Sequence, residues 1–163
     1  SEYGDAMTSQ AKLILAAAVL YLLFLLWRFF RSRSVKSRVR ALARNAVEMS
    51  PEEFFRLYSA SRDKKGYLAR RYDYPGVYIL YNKSRSMYYV GQAASVLARI
   101  NQHLTGHGNG DVYADYKYGD KFIITSIRLR GSGFASLNEL ERHAIAVYKA
   151  DSTGYNKTRG NRG

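Results

Sequence analysis

The feature that most constrains the fold is an apolar segment near the N-terminus, residues 13–30. Arg28 is its one charged side chain, and aliphatic and aromatic residues make up the rest. As an α-helix, these 18 residues extend about 27 Å, close to the roughly 30 Å hydrocarbon core of a membrane. Arg28 can extend its guanidinium toward the headgroups, and Trp27 suits the membrane interface. We therefore predict a retained single-pass transmembrane helix over residues 13–30, preceded by a short N-terminal tail, residues 1–12.

Two alternatives stay open for this segment. A cleaved signal peptide needs a basic start and a small-x-small cleavage site, but the bulky Trp27-Arg28-Phe29-Phe30 ends the run here. A buried core helix is the stronger alternative, because a helix that is apolar on every side can also lie inside a larger assembly.

Basic residues flank only one side of the apolar segment. Arg28, Arg31, Arg33, Lys36, Arg38, Arg40 and Arg44 follow it with no acidic residue among them, and Lys12 alone is basic before it. Cytoplasmic flanks are enriched in Lys and Arg, so the C-terminal part is predicted to face the cytoplasm from the inner membrane. We expect residues 13–44 to contact membrane lipid, and favour headgroup contact over DNA binding for the basic cluster.

The whole chain is strongly basic and lacks cysteine. Its net charge is +13, from 26 Lys and Arg against 13 Asp and Glu, which indicates an acidic partner such as nucleic acid or anionic lipid. The absence of cysteine excludes disulfides, thiol nucleophiles and thiolate metal sites, which leaves carboxylate, imidazole or phenol groups for any chemistry. A chain of this length has room for one catalytic domain plus an appendage.

Residues 31–74 are interpreted as a basic helical linker. Within them, Ser50 as N-cap, Pro51 in the first turn and Glu53 closing a capping box predict the start of a helix. Pro75 then breaks the helical pattern and opens a strand.

Residues 75–163 are predicted to form a small α/β domain of the α+β type, with a central three-stranded antiparallel sheet flanked by helices. Strand patterns and a polar turn predict a hairpin from residues 77–81 and 87–90. A third strand is predicted over residues 122–129, helices over residues 95–104 and 136–149, and a glycine-rich loop over residues 106–110.

Two tripeptides lie on the predicted hairpin, Gly76-Val77-Tyr78 and Tyr89-Val90-Gly91, with 10 residues between their tyrosines. Further along the chain come Arg99, His103, Glu141 and Asn156. Each residue alone is ordinary, since tyrosine is common in strands and asparagine in turns. Together, over residues 76–156, the set resembles the GIY-YIG nuclease superfamily.

The resemblance implies an endonuclease that hydrolyses phosphodiester bonds with Mg²⁺ or Mn²⁺. The residues that it implies for catalysis are Tyr78, Tyr89, Arg99, His103, Glu141 and Asn156, with Glu141 as metal ligand. Two glutamates lie on the last predicted helix, but Glu139 fits a capping box with Ser136, which leaves Glu141 for the metal.

The chemistry assigns a task to each group. Arg99 would donate to the phosphate, and a tyrosine aided by His103 would orient and deprotonate water. A free phenol has a pKa near 10, so this base needs help from a nearby cation or from a group that takes its proton. Both Tyr78 and Tyr89 remain candidates for the base.

DNA is the expected partner, with little sequence specificity, and incoming foreign or phage DNA would suit a membrane-bound enzyme. An RNA-directed nuclease and a tethered nucleic-acid-binding module without cleavage are the alternatives, and the oligomeric state is open. The candidate nucleic-acid contacts are Gln92, Lys117, Lys121, Lys157 and Arg159. Gln92 stands where many members of the family have a basic residue.

Overall fold

The structure, a computed structural model, describes residues 2–62 and 66–160. The chain divides into two compact units, residues 1–37 and residues 38–163. Helix α1 spans Glu2–Asn45, so the residues interpreted as a tail are helical from Glu2 onward. Its most apolar stretch has a mean hydropathy of 2.4 and no buried residue. By length and composition, this helix can cross a membrane.

The second unit is built on a four-stranded antiparallel sheet in the order β1-β4-β2-β3. The strands are β1 (Glu48–Met49), β2 (Gly76–Asn82), β3 (Met87–Ala93) and β4 (Phe122–Arg128). The α+β class and the hairpin are confirmed, but the sheet has four strands rather than the predicted three. The additional strand, β1, comes from the region interpreted as a helical linker and pairs with Ile124 and Thr125 of β4. Two residues are too few to show the alternation by which a strand is recognised in a sequence.

In the part of the second unit that the structure describes, five shorter helices accompany the sheet: α2 (Pro51–Ser61), α3 (Tyr67–Tyr72), α4 (Val96–Leu104), α5 (Gly110–Tyr118) and α6 (Leu137–Tyr148). The capping box predicted before α2 is present, because Ser50 Oγ accepts from Glu53 N and the Glu53 carboxylate accepts from Ser50 N at 2.7 Å. Helix α5 was not predicted. It starts at the end of the glycine-rich loop because the side chain of Asn109 accepts hydrogen bonds from its first turn.

The side chains of β2 alternate between two buried faces. Tyr78 and Leu80 belong to a core that α2, α4 and α5 complete, whereas Val77 and Ile79 point to the opposite face, where α6 packs on the sheet. Phe54 of α2 and Val39 near the end of α1 are both 0% exposed. The compact unit around the hairpin therefore includes residues that precede position 75.

Candidate active site

The two motif tyrosines are diagonal neighbours on one face of the hairpin. Tyr78 pairs with Gly91 and Leu80 pairs with Tyr89, and the rings of Tyr78 and Tyr89 have centroids 6.2 Å apart. A Cβ on Gly91 would overlap the Tyr78 ring and hydroxyl, which explains why glycine ends the second tripeptide. Tyr78 is 1% exposed, whereas Tyr89 is half-buried.

His103, from α4, lies behind both tyrosines and is 0% exposed. Its Nε2 lies 2.8 Å from the Tyr78 hydroxyl, and its Nδ1 accepts a hydrogen bond from the backbone N–H of Asn109 at 2.8 Å. Because Nδ1 accepts, the single proton of the neutral ring is on Nε2, which donates to Tyr78. His103 therefore orients Tyr78 as a donor and is not placed to take its proton.

Burial and charge keep His103 in this neutral form. Burial, together with the nearby positive charge of Arg99, lowers the pKa of His103 from 6.5 to about 4. Protonation would also place a second N–H against the Asn109 backbone donor. Gly108 passes directly against the ring and leaves no room for a side chain, so the α4–α5 loop closes tightly over His103.

Burial raises the pKa of both Tyr78 and Tyr89, but neighbouring groups affect the two pKa values differently. The pKa of Tyr78 is raised by burial and by Tyr89, and lowered by Arg99. The pKa of Tyr89 is also raised by burial, but a hydrogen bond from Tyr78 and the charge of Arg99 lower it. Because His103 donates to Tyr78, the hydroxyl proton of Tyr78 is left to point toward Tyr89, whose pKa it lowers. A negative charge is therefore better stabilised on Tyr89 than on Tyr78.

Arg99 lies on α4, one helical turn before His103. Its Nη1 donates to Gln102 Oε1 at 2.6 Å, and its side chain is half-buried. The charge of Arg99 lowers the pKa of Tyr78, Tyr89 and His103, so the guanidinium is close to all three, and an anion bound beside them would gain from its charge.

Glu141 projects from α6 toward the end of β3. Its Oε2 accepts a hydrogen bond from Gln92 Nε2 at 2.9 Å, and the same nitrogen donates to Asn138 Oδ1 at 2.7 Å. Burial raises the pKa of Glu141, and the hydrogen bonds from Gln92 oppose that rise. Glu139, the other glutamate of α6, accepts from Ala135 N at 2.8 Å and stabilises the start of the helix.

Asn156 holds the exposed edge of β3. Its Oδ1 accepts from Val90 N at 2.8 Å and its Nδ2 donates to Val90 O at 2.7 Å, so the side-chain amide replaces a neighbouring strand. Val90 lies between Tyr89 and Gly91. Asn156 therefore fixes the backbone of the second tripeptide.

Tyr89, Glu141 and Asn156 line one open cleft of about 310 Å³, together with Lys157. Tyr78 and His103 lie behind this cleft. Lys117 and Lys121 line a different cleft, beside the start of α2, and Arg159 lies 3.6 Å from the carboxylate of Asp151. Of the predicted nucleic-acid contacts, the structure brings Lys157 and Gln92 to the tyrosines and Glu141, and places the others elsewhere.

The donor set around Glu141 fits a small divalent cation. The described residues contain no group of three or more His, Cys, Asp or Glu side chains that would enclose a metal. Mg²⁺ does not require one, because it commonly binds one or two carboxylates and completes its shell with water and substrate phosphate oxygens. Gln92 Nε2 donates to Oε2 of Glu141, and this carboxylate lines the open cleft.

This arrangement matches one known family. The family model for the GIY-YIG catalytic domain matches residues 74–156, about half of the chain. The chain belongs to the GIY-YIG family. GIY-YIG domains are nuclease domains that act on nucleic acid and generally use a divalent metal. No curated protein and no solved structure gives a significant match to the chain.

Two contacts of this GIY-YIG site were missed in the sequence. Asn109 donates its backbone N–H to His103 from a loop, and a backbone contact of this kind leaves no mark on residue type. Asn138 accepts from Gln92, and at a helical position it looks like any polar surface residue. An i, i+3 relation to Glu141 was the only available indication.

Proposed function

We propose that this GIY-YIG protein is a membrane-anchored, Mg²⁺-dependent endonuclease that hydrolyses DNA with little sequence specificity. The observation that carries the proposal is the single cleft lined by Tyr89, Glu141 and Lys157, with Arg99 close enough to act on Tyr89. A candidate base, a carboxylate and a lysine thus line one space that a phosphodiester can enter, and the charge of Arg99 acts on the base.

Each group has a task that its surroundings support. Tyr89 lines the cleft and receives support from Tyr78, so we assign it the removal of a proton from water. Arg99 and Lys157 would offset the charge on the phosphate oxygens. A divalent ion held by Glu141 would supply Lewis-acid charge to the phosphate and the leaving oxygen.

Helix α1 and the basic cluster after it indicate where in the cell the nuclease acts. The apolar stretch of α1 has no buried residue, as a membrane-spanning helix requires, and the basic cluster after it favours a cytoplasmic second unit. We propose that the chain lies in the inner membrane, with residues 13–44 in contact with lipid. Tethering would concentrate the nuclease where DNA enters a cell, which suits action on incoming foreign or phage DNA.

The test of cleavage uses the full-length chain in detergent micelles, with plasmid, linear DNA and RNA as substrates. Wild type with Mg²⁺ should nick plasmid, and EDTA should stop it. Glu141→Gln, which keeps the size of the side chain, and Arg99→Ala should each lower the rate by about 100-fold or more without loss of DNA binding. Arg130→Ala, in the exposed loop after β4, removes the same charge as Arg99→Ala and should cut normally.

The outcomes separate the possible functions. Undiminished cleavage by Glu141→Gln would contradict the mechanism. DNA binding without cleavage under Mg²⁺ and Mn²⁺ would show a binding module, and cleavage confined to RNA would show a different substrate.

The choice of base has its own test. Tyr89→Phe should cost about 100-fold or more in rate, whereas Tyr78→Phe, which removes a supporting donor, should cost about tenfold, as expected for one hydrogen bond of roughly 1.4 kcal/mol. The reverse order would assign the base to Tyr78.

A further inference from the structure

Gln92 is the residue directly after the second tripeptide, and it contacts the carboxylate implied in metal binding. It lies on β3, while both of its partners, Glu141 and Asn138, lie one turn apart on α6. Its single amide nitrogen lies 2.9 Å from Glu141 Oε2 and 2.7 Å from Asn138 Oδ1. The two N–H bonds of one amide therefore join the strand to the helix at the site.

The chemistry of the partners fixes the direction of this amide. A carboxylate can only accept hydrogen bonds, so the nitrogen of Gln92, not its oxygen, must face Glu141. Asn138 then presents its carbonyl oxygen to the second N–H. With both protons committed, Gln92 holds Oε2 of Glu141 in place.

We propose that Gln92 is the positioning residue of the Glu141 metal ligand, with Asn138 fixing Gln92 in turn. The inference deepens the proposed function and rests on it for the role of Glu141. Hydrogen bonds of this kind hold a ligand in its binding geometry, and their loss typically lowers metal affinity.

The choice of glutamine rather than a cation has a physical reason. Glu141 is half-buried, so its charge needs donors to remain stable. A Lys at position 92 would provide them but would also form an ion pair with Glu141, and its positive charge would repel a divalent ion. The neutral amide supplies the donor without that competition. Lys157, which lines the same cleft, supplies positive charge from another direction.

The test measures Mn²⁺ binding to the full-length chain in detergent micelles by electron paramagnetic resonance, in the absence of nucleic acid. Gln92→Met keeps the length and volume of the side chain but removes both donors, and Gln92→Ala removes donors and volume together. Both should weaken the Mn²⁺ binding that Glu141→Gln abolishes, by about 10-fold to 100-fold. Asn138→Ala should weaken it in the same direction but less.

The second readout is the dependence of plasmid cleavage on Mg²⁺ concentration. Gln92→Met should need about 10-fold to 100-fold more Mg²⁺ for half-maximal rate, yet approach the wild-type rate at saturation, because the reacting groups are intact. A packing role alone would spare Gln92→Met and affect Gln92→Ala. Unchanged Mn²⁺ affinity and Mg²⁺ dependence in Gln92→Met would overturn the inference.

The two proposals fail in different ways. If wild type binds Mn²⁺ through Glu141 and Gln92→Met weakens it, but no nucleic acid is cut, the proposed function fails and the role of Gln92 stands. If wild type cuts DNA and Gln92→Met behaves as wild type in both readouts, the role of Gln92 fails and the function stands. If Glu141→Gln leaves Mn²⁺ binding unchanged, Gln92 positions no metal ligand and the inference is wrong.

Discussion

Removing the residues before position 75 should destabilise the catalytic unit even though the family match begins at residue 74. Such a fragment loses Phe54 and Val39, both 0% exposed, and each fully buried side chain of this size contributes about 1.5–3 kcal/mol. It also loses Asp73, whose carboxylate accepts from Ser95 Oγ at 2.7 Å and Leu97 N at 3.1 Å. A helix cap of this kind contributes about 1 kcal/mol.

These losses sum to about 4–7 kcal/mol, before the loss of strand β1 is counted. A domain typically has only about 5–15 kcal/mol of unfolding free energy. We therefore expect a fragment of residues 38–163 to fold cooperatively, and a fragment of residues 75–163 to be largely unfolded or to aggregate at room temperature.

The assay is urea unfolding of both fragments, followed by circular dichroism at a helical wavelength. Within the longer fragment, Phe54→Ala should lower the free energy of unfolding by about 3–5 kcal/mol. The matched variant Phe55→Ala, at a half-buried position in the same helix, should cost clearly less. Equal stability of the two fragments, together with equal effects of the two variants, would refute the inclusion of α2 in the catalytic unit.

Three further predictions follow from single contacts. Lys157→Ala should slow cleavage about 10-fold to 100-fold, the equivalent of one lost hydrogen bond to a charged group, with Arg130→Ala as the control of equal charge in the same plasmid assay. His103 has its pKa lowered from 6.5 to about 4, so the folded state stays neutral while the unfolded chain gains a proton. This stability is complete above about pH 6.5 and is lost as pH falls toward about 4. The unfolding free energy of wild type relative to His103→Gln should drop by about 2 kcal/mol between about pH 7 and pH 5, and a constant difference would contradict the neutral ring. Asn156→Ala removes both hydrogen bonds to Val90 and should lower the free energy of unfolding by about 1–3 kcal/mol; Asn156→Asp should do no better, because its carboxylate faces the Val90 carbonyl.

The parts of the fold that the sequence predicted are those determined by neighbours along the chain. The hairpin, the cap at Ser50 and helix α4 each follow from residues within a few positions of one another. Strand β1 was not predicted because it forms only through its pairing with β4. Helix α5 was not predicted because glycines surround its N-cap at Asn109. Long-range pairing leaves too little local signal in such short segments.

The candidate site also combines features that nearby residues predicted with features that depend on distant residues. Capping geometry predicted that Glu139 would serve the helix start and leave Glu141 for the metal, and the structure does place Glu139 at the helix start. The metal role of Glu141 stays a prediction. The contact of Gln92 with nucleic acid also stays a prediction, and in the structure its amide nitrogen bonds side chains 46 and 49 positions later. The residue type alone could not distinguish contact with nucleic acid from contact with Glu141 and Asn138, because the two amide N–H groups of Gln92 can serve either.

The hydrogen bonds behind the cleft also determine which way a proton can travel. Asn109 N–H occupies the Nδ1 acceptor of His103, so the imidazole can only donate toward Tyr78. In the proposed mechanism, a proton taken from water by Tyr89 could not pass inward through Tyr78 to the ring, and would leave through the open cleft, toward solvent or the leaving oxygen. His103 would then act as a fixed dipole that supports a phenolate, rather than as a proton acceptor. On this argument, cleavage by wild type should show no loss of rate attributable to His103 protonation between about pH 7 and pH 5, since the pKa of the buried ring is about 4.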